Sequence, residues 1–141
     1  MKGAPLSTSL VISDAEGRGF LELESGKADQ FWVTVERDGK SVREQTYACR
    51  CCDGFVEFFE DLAAKARGWK GVRTWTPPVG GLALRAALEG ADQVALALEV
   101  TPYGKPDDVP YMTTLRVARE DLKRIAREVR RLFPSKLESK R

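Results

Sequence analysis

The chain contains no histidine. That absence removes the usual general base, the commonest metal-binding side chain and every Ser-His or Cys-His nucleophile pair. Most hydrolytic chemistries therefore have no residue to run on. Long apolar runs are missing too: stretches such as residues 94–98 fall far short of the roughly 20 residues that a membrane-spanning helix needs. Residues 1–6 carry one cation but no apolar segment ahead of Ser7, Thr8 and Ser9, which is unlike a secretory leader. The expectation is a soluble, cytoplasmic chain without membrane contact. Cysteine is scarce and crowded, since Cys49, Cys51 and Cys52 are an odd number within four positions. That is a poor disulfide framework and fits a reducing compartment. Phosphate loops are absent as well: Gly17-Arg18-Gly19 and Gly80-Gly81 lack both the remaining motif positions and the strand-to-helix setting. Nucleotide binding has no support, and no cofactor is expected.

What is present is ordinary globular material. At 141 residues, with 43% hydrophobic and 31% charged side chains, the chain is long enough to bury a core without cross-links and too apolar to be disordered. Charge is unevenly placed. Residues 1–115 carry 13 Lys and Arg against 17 Asp and Glu, whereas residues 116–141 carry 10 against 4. An acidic body thus ends in a basic segment, read as a single domain over 1–134 and a flexible basic tail over 135–141.

Hydrophobic spacing predicts two amphipathic helices. The first covers about residues 54–67: Phe55, Phe58, Phe59, Leu62 and Ala66 share one stripe, Glu57, Glu60, Asp61 and Lys65 lie opposite, Asp53 is placed to cap the start and Gly68 to follow the end. The second covers about 119–133, with Leu122, Ile125, Ala126, Val129, Leu132 and Phe133 inward, Pro134 as a stop, and Glu120 placed to pair with Arg124. Elsewhere the period is two. Strands are predicted near 10–13, 19–24, 30–37 and 41–50, then near 72–75, 82–88, 94–100 and 111–117, with Asp38-Gly39 as the clearest tight turn. Hairpin-length connections imply antiparallel sheets with helices on one face, an α+β fold. Four strands and a helix, repeated, are consistent with a structural duplication.

Three groups of residues could carry a function. Trp32, Trp69, Trp75, Tyr103 and Tyr111 could form a protein-contact surface, since Trp and Tyr are enriched at interface hot spots, although such residues also pack cores. Lys123, Arg124, Arg127, Arg130 and Arg131 on the second helix could neutralise phosphates, although cations near a helix C-terminus also stabilise the helix itself. Cys49, Cys51 and Cys52 could serve thiol redox chemistry or bind a soft metal, with Cys52 activated by a helix N-terminus. No second cysteine or histidine pair completes a tetrahedral site, so the plainer reading is core filling and no metal is assigned.

Two segments, Phe55-Val56-Glu57-Phe58-Phe59-Glu60-Asp61-Leu62-Ala63 and Arg67-Gly68-Trp69-Lys70-Gly71-Val72-Arg73-Thr74-Trp75, resemble a family of small bacterial proteins of unknown function. There a Phe-rich helix runs into Arg-Gly-Trp-x-Gly-x-x-Thr-Trp, then an apolar hairpin and a closing helix; the resemblance covers about residues 53–133. It implies a fold and no catalysis. In size and make-up the chain also resembles immunity proteins, which neutralise a toxin by contact. Together these readings point to a non-enzymatic interaction domain with a protein partner or a homodimer. A nucleic-acid-associated accessory protein is one alternative and a thiol or metal protein another.

Overall fold

A computed structural model describes residues 9–25, 30–47, 54–76, 80–102, 104–105 and 107–133. Strands β1 (Ser9–Ser13), β2 (Gly19–Ser25), β3 (Gln30–Arg37) and β4 (Lys40–Tyr47) lead to helix α1 (Gly54–Ala64). Strands β5 (Val72–Trp75), β6 (Gly81–Glu89), β7 (Gln93–Thr101) and β8 (Tyr111–Ala118) lead to a short 3₁₀ turn (Arg119–Asp121) and helix α2 (Leu122–Leu132). Each set of strands is an antiparallel meander in sequence order. The four-strands-plus-helix unit thus occurs twice, as the alternation predicts.

Turn chemistry sets the registers. Asp38 and Gly39 both have positive φ, 51° and 87°, the backbone that a two-residue hairpin loop demands. Arg37 therefore faces Lys40 and Val35 faces Val42. With a side-chain period of two, that register sends Phe31, Val33 and Val35 to one face, where they are buried with Leu10, Ile12, Leu21 and Leu23. Sheet β5–β8 turns Leu82, Leu84, Ala86, Val94, Leu96, Leu98, Val100, Leu115 and Val117 inward in the same way.

Both apolar faces and the two helices close over a single core. Phe55 of α1 sits at its centre, with ring centroids 4.8 Å from Phe31, 4.9 Å from Trp75 and 5.5 Å from Phe133. Being enclosed on several sides, α1 buries Val56 and Ala63 as well as Phe55, Phe58, Phe59 and Leu62 of the predicted stripe, while Ala66 falls beyond the helix end and is only partly buried. It ends at Ala64, three residues before the predicted end, because i→i−3 bonds such as Ala66 N–H to the Ala63 carbonyl (3.3 Å) tighten the last turn. Arg124 pairs with Asp121 and Glu128 rather than with Glu120. Asp53 and Pro134 lie outside the described residues. Among those described, no helix is long and apolar enough to cross a membrane.

The two sheets also join at their edges. Thr46 of β4, fully buried, accepts a hydrogen bond from Leu82 N–H of β6 through Oγ1 at 3.0 Å. At the opposite side the β1–β2 turn docks on β8: Ala15 N–H donates to the Arg116 carbonyl at 2.7 Å, and Arg116 N–H donates to Asp14 Oδ1 at 2.7 Å.

Candidate functional site

The alternation that buries one face of sheet β1–β4 determines what the other face presents. Its outward positions fall in cross-strand rows: Ser9, Glu24, Trp32 and Gln45; then Val11, Glu22, Thr34 and Arg43; then Ser13, Phe20, Glu36 and Ser41. The helices pack on the apolar side, with α2 reaching this one at the β1 edge, where Arg124, Glu128 and Arg131 line a pocket with Ser9 and Val11. Trp32 is half-buried in the open surface, and what shields it is Arg43, whose guanidinium carbon lies 4.8 Å from the ring centroid. A cation over an indole face is attracted by the ring quadrupole. Arg43 is held in that pose by an ion pair with Glu24 and by donation to Thr34 Oγ1 at 3.2 Å. Beside it, Gln45 Nε2 donates to Gln30 Oε1 at 2.7 Å.

The electrostatics of this face are one-sided. Glu22, Glu24 and Glu36 face outward, and Arg43 is the one outward cation among the described residues of the sheet. Toward the turns the face runs into a shallow groove in which Phe20 lies between Arg18, Glu36 and Asp38. The arrangement offers an aromatic anchor at Trp32, a second apolar contact at Phe20 and Val11, and carboxylates around both.

The outer face of sheet β5–β8 is built differently. Its central strands turn Ala83, Ala87, Ala95 and Ala97 outward, and its arginines are already paired, Arg85 with Glu99 at 3.0 Å and Arg116 with Glu89 at 2.8 Å. Its exposed apolar side chains, Val72 and Met112, stand on the two outermost strands. Neither an aromatic anchor nor a net charge is concentrated there.

The other residues singled out in the sequence are dispersed. Trp69, Trp75 and Tyr111 are partly buried against the core, and Trp69 Nε1 has no acceptor among the described residues. Tyr103, Cys49, Cys51 and Cys52 lie outside the described residues. On α2, Lys123, Arg124, Arg127 and Arg131 are exposed. Arg130 is instead anchored across the helix pair, donating through Nη2 and Nε to Glu60 at 2.8 and 3.0 Å. The four described aromatics and the five cations thus resolve into Trp32 on an open face and a shorter cationic row on α2. Sequence reasoning passed over Arg43, Glu22, Glu24, Glu36 and Phe20. Their strand phase relative to Val33 and Val35 was the signal that could have found them.

A family of unknown function, DUF6228, matches residues 12–136, and the chain belongs to it. The match takes in the N-terminal sheet, where the sequence offered no recognisable motif, as well as both helices. No curated protein and no solved structure matches the chain.

Proposed function

We propose that this member of a family without an assigned activity is a non-enzymatic protein-interaction domain, and that the outer face of sheet β1–β4 receives a partner with a basic surface. The observation that carries this reading is Trp32, seated under Arg43 on an open sheet face among Glu22, Glu24 and Glu36. Tryptophan is costly to leave at a surface and is the residue type most enriched at interface hot spots. Surrounding carboxylates would steer a cationic partner and fix its orientation, and the pre-formed Arg43 clamp lowers the ordering cost of docking. Contact neutralisation of a basic protein, as immunity proteins perform it, is a function that such a face would serve.

The test is retention of a stoichiometric protein partner by the tagged chain. Trp32→Ala is expected to weaken that complex about thirtyfold, the effect of a hot spot of about 2 kcal/mol. Glu22→Lys with Glu36→Lys is expected to slow association and flatten its salt dependence. Charge reversal on α2 is expected to leave the complex intact. A folded Trp32→Ala variant that keeps its partner at unchanged affinity would remove the face from the proposal.

A further inference from the structure

Between α1 and α2 runs a surface groove with Ala63 and Ala126 at its floor and Lys123, Arg127 and Arg131 along its rim. We infer that this groove is a second docking site, one that takes an acidic amphipathic helix from a partner protein. It is independent of the sheet face described above.

The rim is periodic. Lys123, Arg127 and Arg131 are four residues apart on one helix, so they stand on successive turns about 6 Å from one another along the axis. All three are exposed, and none forms an ion pair among the described residues, whereas neighbouring Arg124 is taken up by Asp121 and Glu128 and Arg130 by Glu60. Three like charges in a row destabilise a helix by i,i+4 repulsion, and carboxylates at i, i+4 and i+8 of a docked helix would relieve it. The floor adds a second requirement. Its small side chains and the methylene stems of the cations give the groove a mostly carbon surface. An occupant therefore has to supply apolar atoms next to its negative charges, which is the pattern of an amphipathic helix laid in a groove.

A nucleic-acid backbone fits less well. Its charge is spread over both sides of a wide rod, and here the cationic row is one residue wide. Glu128 flanks it on one side and Glu60 on the other, each already paired with an arginine, so a broad polyanion would gain no further free cation by extending past the row. A helix carrying a single file of glutamates fits between them. The Glu60–Arg130 pair also ties α1 to α2 along the groove, so the groove exists before anything binds.

The experiment uses the full chain and three fluorescent probes. One is a 16-residue synthetic helix with Glu at i, i+4 and i+8 beside a Leu and Ala stripe, one is the same composition scrambled, and one is a short DNA duplex. Expected are binding of the amphipathic peptide at least tenfold tighter than of the other two, and a tenfold or greater loss in Arg127→Glu and Arg131→Glu. Arg124→Glu should stay within about twofold. Amide shifts at Ala63 and Ala126 on titration would place the peptide in the groove without reliance on any variant. Equal affinity for the scrambled peptide would reduce the site to non-specific charge and overturn the proposal. Tighter binding of DNA would replace it with a nucleic-acid site, and no binding of the amphipathic probe would end it. None of these outcomes bears on Trp32, so each docking site stands or falls separately.

Discussion

Replacing Gly81 with alanine is expected to lower the melting temperature by about 10 °C, through a loss of about 3 kcal/mol. Gly81 begins β6 where that strand meets β4, and a Cβ built there would lie 2.6 Å from Thr46 Oγ1, 2.8 Å from the Gln45 carbonyl oxygen and 2.9 Å from Thr46 Cα. Two of these are backbone atoms of a neighbouring strand, which cannot rotate away. The residue also has φ of 104°, a conformation that L side chains rarely adopt and that costs on the order of 1–3 kcal/mol. Overpacking of a tight contact adds about 1–3 kcal/mol. The variant can relieve both only by separating the sheets at this seam, which would expose the buried bond from Leu82 N–H to Thr46 Oγ1. Thr46→Val, which deletes that acceptor but keeps the volume, is expected to cost about 1–3 kcal/mol alone. Combined with Gly81→Ala it should cost at least 1 kcal/mol less than the two single losses predict, since a seam already opened has no bond left to lose. Denaturant melts of the four proteins measure this directly. A Gly81→Ala protein that melts within 2 °C of the parent would show that the seam is not a tight contact.

That seam also marks where the sequence stops being readable. The strands and their antiparallel pairing could be read because each strand alternates apolar and polar residues, and because Asp38-Gly39 admits few turns other than the one found; the order of strands within each sheet could not. Helix α2 could be read from Leu122, Ile125, Ala126, Val129 and Leu132, all buried as the spacing demands. What joins the two units is carried by residues whose local signal is bland. Thr46 reads as an ordinary strand threonine, although it is fully buried. Gly80-Gly81 has the second meaning of glycine in a strand, close approach of another backbone. That meaning needs a tertiary partner to become visible.

The candidate site divides along the same line. Trp32 and Trp75 are equivalent as residue types, and only strand phase separates them. Trp75 shares the phase of Leu84, opposite which it pairs, and faces Phe55; Trp32 alternates with the buried Phe31 and Val33 and faces out. Phase is a local property and was available from the sequence. The salt-bridge partners were not: Glu60 on α1 claims Arg130 from 70 positions away, Asp121 and Glu128 take up Arg124, and the remaining three cations of the α2 row form the rim of the groove.

At the other seam, Asp14→Ala is expected to destabilise the fold by about 2–3 kcal/mol at neutral pH, and to do so less at low pH. Asp14 is 5% exposed. Its Oδ1 accepts from Arg116 N–H at 2.7 Å, and its Oδ2 accepts from Glu16 N–H at 3.0 Å and Arg18 N–H at 3.3 Å. One carboxylate therefore closes the β1–β2 turn and fastens it to β8, and hydrogen bonds to a charged acceptor are worth more than neutral ones. Burial acts to raise its pKa, but the three backbone N–H donors and the nearby Arg37 guanidinium outweigh it, and the group is held below its ordinary value of 3.8. The sign of the pH effect follows. A carboxyl group whose folded pKa lies below its unfolded one binds protons more readily in the unfolded chain, so it contributes its full stabilisation above the unfolded pKa of about 3.9. That contribution is lost as pH falls from there through the lowered folded value. The penalty of Asp14→Ala should accordingly be constant from about pH 5 to 7 and shrink below about pH 4. Asp14→Asn, which keeps one acceptor oxygen and the side-chain shape, should cost less than the alanine at pH 7 and likewise lose its deficit in acid. Urea melts at pH 7 and pH 3 read the difference, and hydrogen exchange at the Arg116 amide reports whether the seam itself has loosened. An Asp14→Ala penalty of equal size at both pH values would assign the effect to packing and remove the carboxylate's charge from the account of how the two sheets are held together.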